Sequence, residues 1–350
     1  MSIPCEFCPK LCHHACPVGD VTHDEALNTW GKINTLRSID LKRLPETLEN
    51  YSSAYQCVQC HSSETDCEIN TPATDILIHY RQKAFSKGLV PPSIQKHMAE
   101  FEKIRLHIDR DKSAFNLSDD VLFIPSFDHN NTEDPTFEKR IKKIFKLFEK
   151  LNIKNVSLFE SDRPCCGYPY YAAGDVKSFL KHAKHQVKFL KGFKTIVSDS
   201  PICLQTFQKY YSHEKIFFKF NFQHLSEFLR PFLKNSKKQD TVAYHDPCFL
   251  GRHRGVYEAP REILKKVSGE VLEFRQHHEK SYCCGGGGLY PVTSPKEADQ
   301  MTLNRLNEYK QTGAEVLVTG CSTCTTRLHV VNKDLHLNLK IFDLVDYLLT

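Results

Sequence analysis

No run of about 18 consecutive apolar residues occurs in this 350-residue chain, so a membrane-spanning helix is not expected. The opening residues, MSIPCEFC, show no basic stretch followed by an apolar one, which leaves no secretory signal to read. The expected place is therefore the cytoplasm, with a peripheral position at the inner face of the membrane left open. No Gly-x-Gly-x-x-Gly follows a strand-like run, and no Gly-Lys-Ser/Thr follows the single glycine-rich stretch. Neither a flavin or nicotinamide fingerprint nor a P-loop is present, so this chain is expected to bind no flavin itself. Basic charge is thin as well. The net charge is +5, and its clearest cluster, KNSKKQD at 234–240, reads as a solvated linker. No aromatic residues interleave with a basic stripe, and no nucleic-acid partner is expected.

What the chain has is cysteine. Fifteen are present, in a few tight groups rather than scattered singly. An odd number in a reducing compartment argues against a disulfide framework and towards metal or redox chemistry. With 40% hydrophobic and 25% charged residues the chain is globular, and its length allows two or three domains.

Along the sequence, the first 115 residues carry two cysteine groups joined by helical-looking segments, and DILIHYRQKAFSKGLVPPSIQKHMAEFEKIR reads as two helices broken at GLVPPS. From VLFIPSF (121–127) strands and helices alternate. FEKRIKKIFKLFEKL places Ile141, Ile144, Phe145, Phe148 and Leu151 on one helical face. VSLFES is a strand, VKSFLKHAKHQVKFL a helix with Val176, Phe179, Leu180, Ala183, Val187 and Leu190 inward, and KTIVSDS a strand. After KNSKKQD the rhythm restarts with TVAYHDPC, the helix APREILKKV, the strand EVLEFR, a long helix SPKEADQMTLNRLNEYKQTG with a glycine stop, and the strand AEVLVTG. The halves correspond: RPCCGYP with SYCCGGG, IVSDSPIC with LVTGCSTC, and FIPS with YHDPC. A repeat of βα units at a spacing of about 120 residues implies two similar α/β lobes facing one another. The divisions expected are 1–115, 116–236 and 237–350.

The first cysteine group, CEFCPKLCHHACPVG, supplies Cys5, Cys8, Cys12 and Cys16 followed by Pro17. Closely spaced thiolates with a Cys-Pro ending are how ferredoxin motifs hold [4Fe-4S] clusters. Tetrahedral zinc is the plainer alternative for paired CxxC groups. The second group, CVQCHSSETDC, has Cys57, Cys60 and Cys67, with Ser63 where the motif asks for a thiol. If fourth ligands are exchanged as in two-cluster ferredoxins, one cluster takes Cys5, Cys8, Cys12 and Cys67; the other takes Cys16, Cys57, Cys60 and an unassigned fourth ligand.

The C-terminal lobe has Cys248, then Cys283 and Cys284 against Gly285–Gly288, then Cys321 and Cys324. All five fall at turns after strands or at helix starts, where α/β folds place ligands. Adjacent cysteines on extended backbone point opposite ways, so a shared metal centre requires a sharp turn, which glycines allow. The same glycines free backbone N–H groups for hydrogen bonds to cluster sulfur. His13, His14, His277 and His278 read as solvated surface. His245 and Asp246 read either as support for the cluster loop or as turn formers. Arg252, His253 and Arg254 either offset cluster charge or form an exposed charged loop.

HDPCFLGRHRGVYEAPREIL, SYCCGGGG and GCSTC resemble the cysteine-rich CCG domain of heterodisulfide reductase subunits and of glycolate and lactate oxidase iron-sulfur subunits. The N-terminal groups are similar to the ferredoxin domain that precedes two CCG domains in such proteins. The resemblance implies an α+β multidomain architecture: an α-helical ferredoxin-like module with one or two cubane [4Fe-4S] clusters, then two pseudo-repeated α/β CCG lobes. It implies a non-cubane [4Fe-4S] centre on Cys248, Cys283, Cys284, Cys321 and Cys324. The first lobe keeps Cys165, Cys166 and Cys203 but has Ser126 and Ser200 where cysteines would stand. It reads as a degenerate cover for the complete lobe, in preference to a separate zinc or small iron-sulfur site.

The function implied is that of an oxidoreductase subunit carrying electrons from a flavin-containing dehydrogenase or electron-transferring flavoprotein, through iron-sulfur clusters, to a disulfide or to a quinone-linked acceptor at the membrane. A different class of reading is a zinc-stabilised assembly or interaction protein that moves no electron.

Overall fold

The computed structural model describes Cys5, Cys8 and residues 10–103, 120–126, 137–159, 165–216, 220–236 and 238–350. The expected division at 115/116 lies outside the described residues.

Residues 10–103 are helical. The principal helices are α1 (Thr29–Asp40), α2 (Ala73–Ser86) and α3 (Pro92–Phe101), and short helices carry the cysteine groups. Asn28 caps α1 by accepting the Gly31 N–H at 2.9 Å. Pro92 sits in the first turn of α3, where a missing N–H costs nothing.

Two four-stranded sheets follow. The first has β1 (Val121–Ile124), β2 (Val156–Leu158), β3 (Thr195–Ser198) and β4 (Asn221–His224); the second has β5 (Thr241–His245), β6 (Glu270–Leu272), β7 (Val316–Thr319) and β8 (Ile341–Asp343). Both are parallel throughout, with orders β2-β1-β3-β4 and β6-β5-β7-β8. The repeat read from the cysteine spacing is thus a repeat of topology. Central strands such as VLFI and VLVT are buried on both faces, which is why they read as apolar runs without alternation.

β4 and β8 are edge strands with no counterpart among the strands read from the sequence. Each is short, carries polar residues (NFQH, IFD) and passes directly into a helix capped by its own last residue, His224 or Asp343.

The helices flanking the strands are α4 (Phe137–Lys150) and α5 (Val176–Leu190) in the first lobe, and α6 (Glu258–Val267), α7 (Pro295–Thr312) and α8 (Ser322–Asp334) in the second. α4 buries Phe137, Ile141, Ile144, Leu147 and Phe148, close to the expected face, and α7 ends at Gly313 in the left-handed region (φ 73°), as the glycine stop implied. α5 departs from expectation. Its fully buried positions are Phe179, His182, Ala183, Gln186 and Leu190, while Val176, Leu180 and Val187 are half-buried. The face is rotated because His182 Nε2 hydrogen-bonds the Cys165 carbonyl at 2.7 Å, with Gln186 Nε2 3.1 Å from the same nitrogen.

The lobes embrace by exchange. The helix after β4 (Leu225–Leu229) packs on α6, and the helix after β8 (Leu344–Leu349) packs on α4, where Lys143 pairs with Asp346 at 2.5 Å. The carboxyl ends of β3, β4, β7 and β8 therefore meet at one seam, lined by Asp199, His224, Cys321 and Asp343. One continuous buried cluster runs from the N-terminal helices through both sheets. A second lies between the other face of the second sheet and α7 and α8, around Ala243, Leu306, Leu317 and Leu328.

Candidate iron-sulfur sites

Adjacent cysteines need a turn, and the same device makes it in both lobes. Cys165-Cys166 is followed by Gly167 at φ 87°, and Cys283-Cys284 by Gly285 at φ 82°, in a region that costs a side-chain-bearing residue about 1–2 kcal/mol. Beyond that residue the lobes part. The first continues into Tyr168; the second runs through three further glycines whose purpose lies in the N-terminal segment. A Cβ on Gly287 would stand 2.2 Å from the Val58 carbonyl oxygen, and one on Gly288 2.2 Å from that of Cys57. The glycines let the 57–60 loop lie directly on the cysteine turn. Tyr168 bridges the two: its hydroxyl accepts from Gly288 N at 3.1 Å and donates to Gln59 Oε1 at 2.5 Å. Gly285 N donates to Cys283 Sγ at 3.4 Å, whereas Gly288 N is taken by Tyr168.

All five C-terminal cysteines are buried. Cys284 and Cys324 sulfurs are 3.1 Å apart. Hydrogen bonding with Cys283 and with Cys324 holds Cys284 well below the usual thiol range, while the bond shared with Cys284 raises Cys324; Cys321 is lowered by its bond with Cys324. Cys283 also hydrogen-bonds Cys248, which is raised. Around them, Arg252 donates to the carbonyls of Cys60 (2.6 Å), Ser281 (2.6 Å) and Glu279 (3.1 Å), and its charge acts on Cys60, Cys248 and Cys283. His253 donates to the Gln59 carbonyl (2.8 Å) and stacks on Phe249, and Arg254 reaches Gln208 and the Phe222 carbonyl. Arg252 and His253 are thus a built anchor for the 57–60 loop, and Arg254 a tie to the first lobe, in place of an exposed charged loop. Asp246 is held by Arg261 through both oxygens at 2.7 and 2.8 Å and accepts the His278 N–H, so it fixes the loop's base. His13 and His14 stand at the surface, His14 on the rim of an open cleft that also reaches the buried Cys16 and Cys283. His277 and His278 lie near Glu273, whose carboxylate Arg261 already engages.

In the N-terminal segment, Cys5, Cys8, Cys12 and Cys67 line one pocket with Trp30 and Ile33. Thr71 N donates to Cys67 Sγ at 3.3 Å, and Trp30 Nε1 to the Cys5 carbonyl at 2.7 Å. Burial pushes the Cys12 thiol up to about 11 and raises Cys5. Ser63 lines this same pocket with Cys5, Cys8, Cys12 and Cys67. Cys16 faces the fully buried Lys32, whose Nζ lies 3.7 Å from the sulfur and 2.7 Å from the Gln56 carbonyl. Cys57 feels the same ammonium, and Cys60 hydrogen-bonds Cys283. Spacing groups Cys60 with the N-terminal cysteines, yet its sulfur touches the C-terminal set.

The first lobe is closed to its missing ligands. Ser126 donates its hydroxyl (2.7 Å) and N–H (2.8 Å) to Asp199, which Arg140 approaches at 3.6 Å. Ser200 caps the helix Pro201–Gln205 by accepting from Cys203 N at 3.2 Å. Asp199 stands where the second lobe has Gly320, a difference visible on aligning SDS with TGC whose meaning only the structure supplies. The remaining thiols are buried; Cys166 and Cys203 share a hydrogen bond and are both raised.

The family model of the cysteine-rich CCG domain matches residues 129–208 and 242–329. Lactate utilization protein A of Halalkalibacterium halodurans is 30% identical over 181 residues, 47% of this chain and 72% of that protein. The chain belongs to the CCG cysteine-rich domain family. A component of the dihydromethanophenazine:CoB--CoM heterodisulfide reductase of Methanosarcina acetivorans is 26% identical over 370 residues, spanning 97% of this chain and 90% of the relative. A 90-residue stretch, 26% of this chain, is 42% identical to a protein of Chromohalobacter salexigens named "Probable membrane-anchored ferredoxin", of which it spans 13%. This CCG protein is an iron-sulfur oxidoreductase-type subunit, related to heterodisulfide reductase and electron-transfer proteins. Among the described residues no helix is long and apolar enough to cross a membrane.

The donor set fits iron-sulfur groups. Buried sulfurs converge, with cationic Arg252 and Lys32 near them to offset thiolate charge. Thiols whose proton affinity is raised by burial are relieved of that cost when a cation replaces the proton.

Proposed function

We propose that this CCG protein is an electron relay in which the N-terminal helical unit (1–115) works as a ferredoxin-like module feeding the complete C-terminal lobe (237–350), with the lobe between them (116–236) as cover. Cys5, Cys8, Cys12 and Cys67 hold one cubane [4Fe-4S] group, and Cys16, Cys57 and Cys60 serve a second. Cys248, Cys283, Cys284, Cys321 and Cys324 hold the C-terminal group in its non-cubane form. Cys165, Cys166 and Cys203 are left as a structural remnant. These clusters supply reversible one-electron chemistry when bound.

The observation that carries the reading is the contact between Cys60 and Cys283. It joins the thiols of the N-terminal segment to those of the last lobe without an intervening residue. Arg252 and Tyr168 hold the two loops in register, and Arg252 lowers the cost of gathering thiolates there. Electrons enter from a flavin-bearing dehydrogenase or flavoprotein and leave to a disulfide or a quinone-linked acceptor.

Protein purified without oxygen is expected to be brown, with several irons and acid-labile sulfides per chain, and Cys283→Ser is expected to remove one low-temperature paramagnetic signal while keeping the others. A colourless preparation containing zinc and no sulfide would refute the proposal.

A further inference from the structure

One imidazole accompanies the C-terminal thiols. His245 ends β5 and is 1% exposed, and one of its ring nitrogens and the sulfurs of Cys284 and Cys324 lie within 4.8 Å of one another. An imidazole so placed could ligate iron or donate a hydrogen bond to sulfur, and the far side of the ring decides between them. Arg305 Nε donates to His245 Nδ1 at 2.9 Å. A guanidinium has donors only, so Nδ1 presents a lone pair there and carries no proton. The neutral ring then keeps its proton on Nε2, which is buried without a hydrogen-bond partner among the described residues. Histidines that ligate metals are arranged the other way: the distal nitrogen donates its N–H to a carboxylate or carbonyl, leaving the near nitrogen bare for the metal.

Arg305 does not have the freedom to reverse this. It is fully buried, donates to the Gln276 carbonyl (2.9 Å), Glu308 Oε2 (2.6 Å) and Ser281 Oγ (3.3 Å), and lies 3.5 Å over the Phe274 ring.

We propose that His245 donates its Nε2–H to sulfur of the C-terminal iron-sulfur group instead of ligating its iron, with Arg305 as the positioning residue that fixes the tautomer. The inference rests on the iron-sulfur reading of the C-terminal thiols. A hydrogen bond to sulfur stabilises the more negative, reduced form, so it raises the midpoint potential and makes the last centre the better electron acceptor along the relay.

The test uses the full chain loaded with its clusters. In the wild type, pulsed paramagnetic resonance of the signal that Cys324→Ser abolishes is expected to show a weakly coupled proton that exchanges in D2O, and no directly bonded nitrogen. His245→Leu is expected to keep its iron and sulfide, lose the exchangeable coupling and shift the midpoint to lower potential. His245→Gln, which retains an N–H donor, should recover part of that shift. A strong, directly bonded nitrogen coupling in the wild type overturns the proposal without needing any variant. So does a potential unmoved in His245→Leu. Wild-type protein free of iron and sulfide would sink the iron-sulfur reading and this inference together, whereas a bonded nitrogen on an iron-loaded protein sinks this one alone.

Discussion

Asp343 closes β8, accepts the Asp346 N–H at 2.8 Å and faces the seam between the lobes, where burial and then Asp346 push its carboxyl up from 3.8 to about 6. A carboxyl raised on folding binds its proton more tightly in the native state. Below about pH 4 both states are protonated and nothing is lost. As pH climbs from about 4 to about 6 the unfolded chain ionises first, and stability falls by about 3 kcal/mol on this residue's account, then stays level. Asp343→Asn keeps an oxygen for the helix cap and removes the ionisation. Urea unfolding at pH 4.5 and 7 is therefore expected to show a larger loss of stability in the wild type than in the variant. Equal losses would mean that the carboxyl is already ionised in the seam. The neighbouring Asp199 shows how a residue can retire a site: it occupies Ser126 at both N–H and hydroxyl, so the seam in the first lobe is filled with hydrogen bonds where the second presents sulfur.

At the scale of elements, the glycine run is a docking surface as much as a hinge. A methyl at position 287 would be forced against a backbone carbonyl 2.2 Å away, and backbone cannot step aside as a flexible side chain can. Gly287→Ala is expected to cost about 1–3 kcal/mol by overpacking and to raise hydrogen exchange at residues 57–60. Gly255→Ala meets nothing within 4 Å and carries only the strain of its φ of 72°, so it should leave exchange at 57–60 unchanged. Protection at 57–60 that survives Gly287→Ala would show that the side-chain hydrogen bonds from Arg81, Tyr168, Arg252 and His253 hold the loop without the close glycine contact.

Much of this architecture is legible in the sequence, because central strands, amphipathic helices and the cysteine turns each leave a local pattern. β4 and β8 leave none: three or four residues at a sheet edge bury too little to look apolar. The inward turn of His182 and Gln186 is hidden for a related reason, since their burial depends on a carbonyl at Cys165, distant in sequence. The cysteine positions are plain, but the contact of Cys60 with Cys283 depends on the docking of two segments more than 200 residues apart, which no spacing encodes.

At the scale of the whole molecule, one side chain ties the three parts together. Arg81, which reads in IHYRQK as an ordinary helix charge, is fully buried and donates to the carbonyls of Ala54 (2.9 Å) and Cys57 (2.8 Å) in the N-terminal segment, Ala172 (2.7 Å) in the first lobe and Gly288 (2.8 Å) in the second. Removing it strands four acceptors, each costing roughly 1–3 kcal/mol when left without a donor. The sum is on the order of 4 kcal/mol or more, a large share of the roughly 5–15 kcal/mol that holds a typical domain folded. Because the lost bonds lie where the helical segment meets the lobes, the penalty falls on docking rather than on either sheet. Trp30, the single tryptophan, sits in α1 of that segment and reports on it alone. In the wild type, denaturant unfolding followed by tryptophan fluorescence and by far-ultraviolet circular dichroism should coincide. In Arg81→Leu the fluorescence transition is expected to move to lower denaturant and precede the dichroism transition, since the N-terminal helices leave first. Transitions that remain coincident would show the three parts cohering through their shared apolar core without the guanidinium.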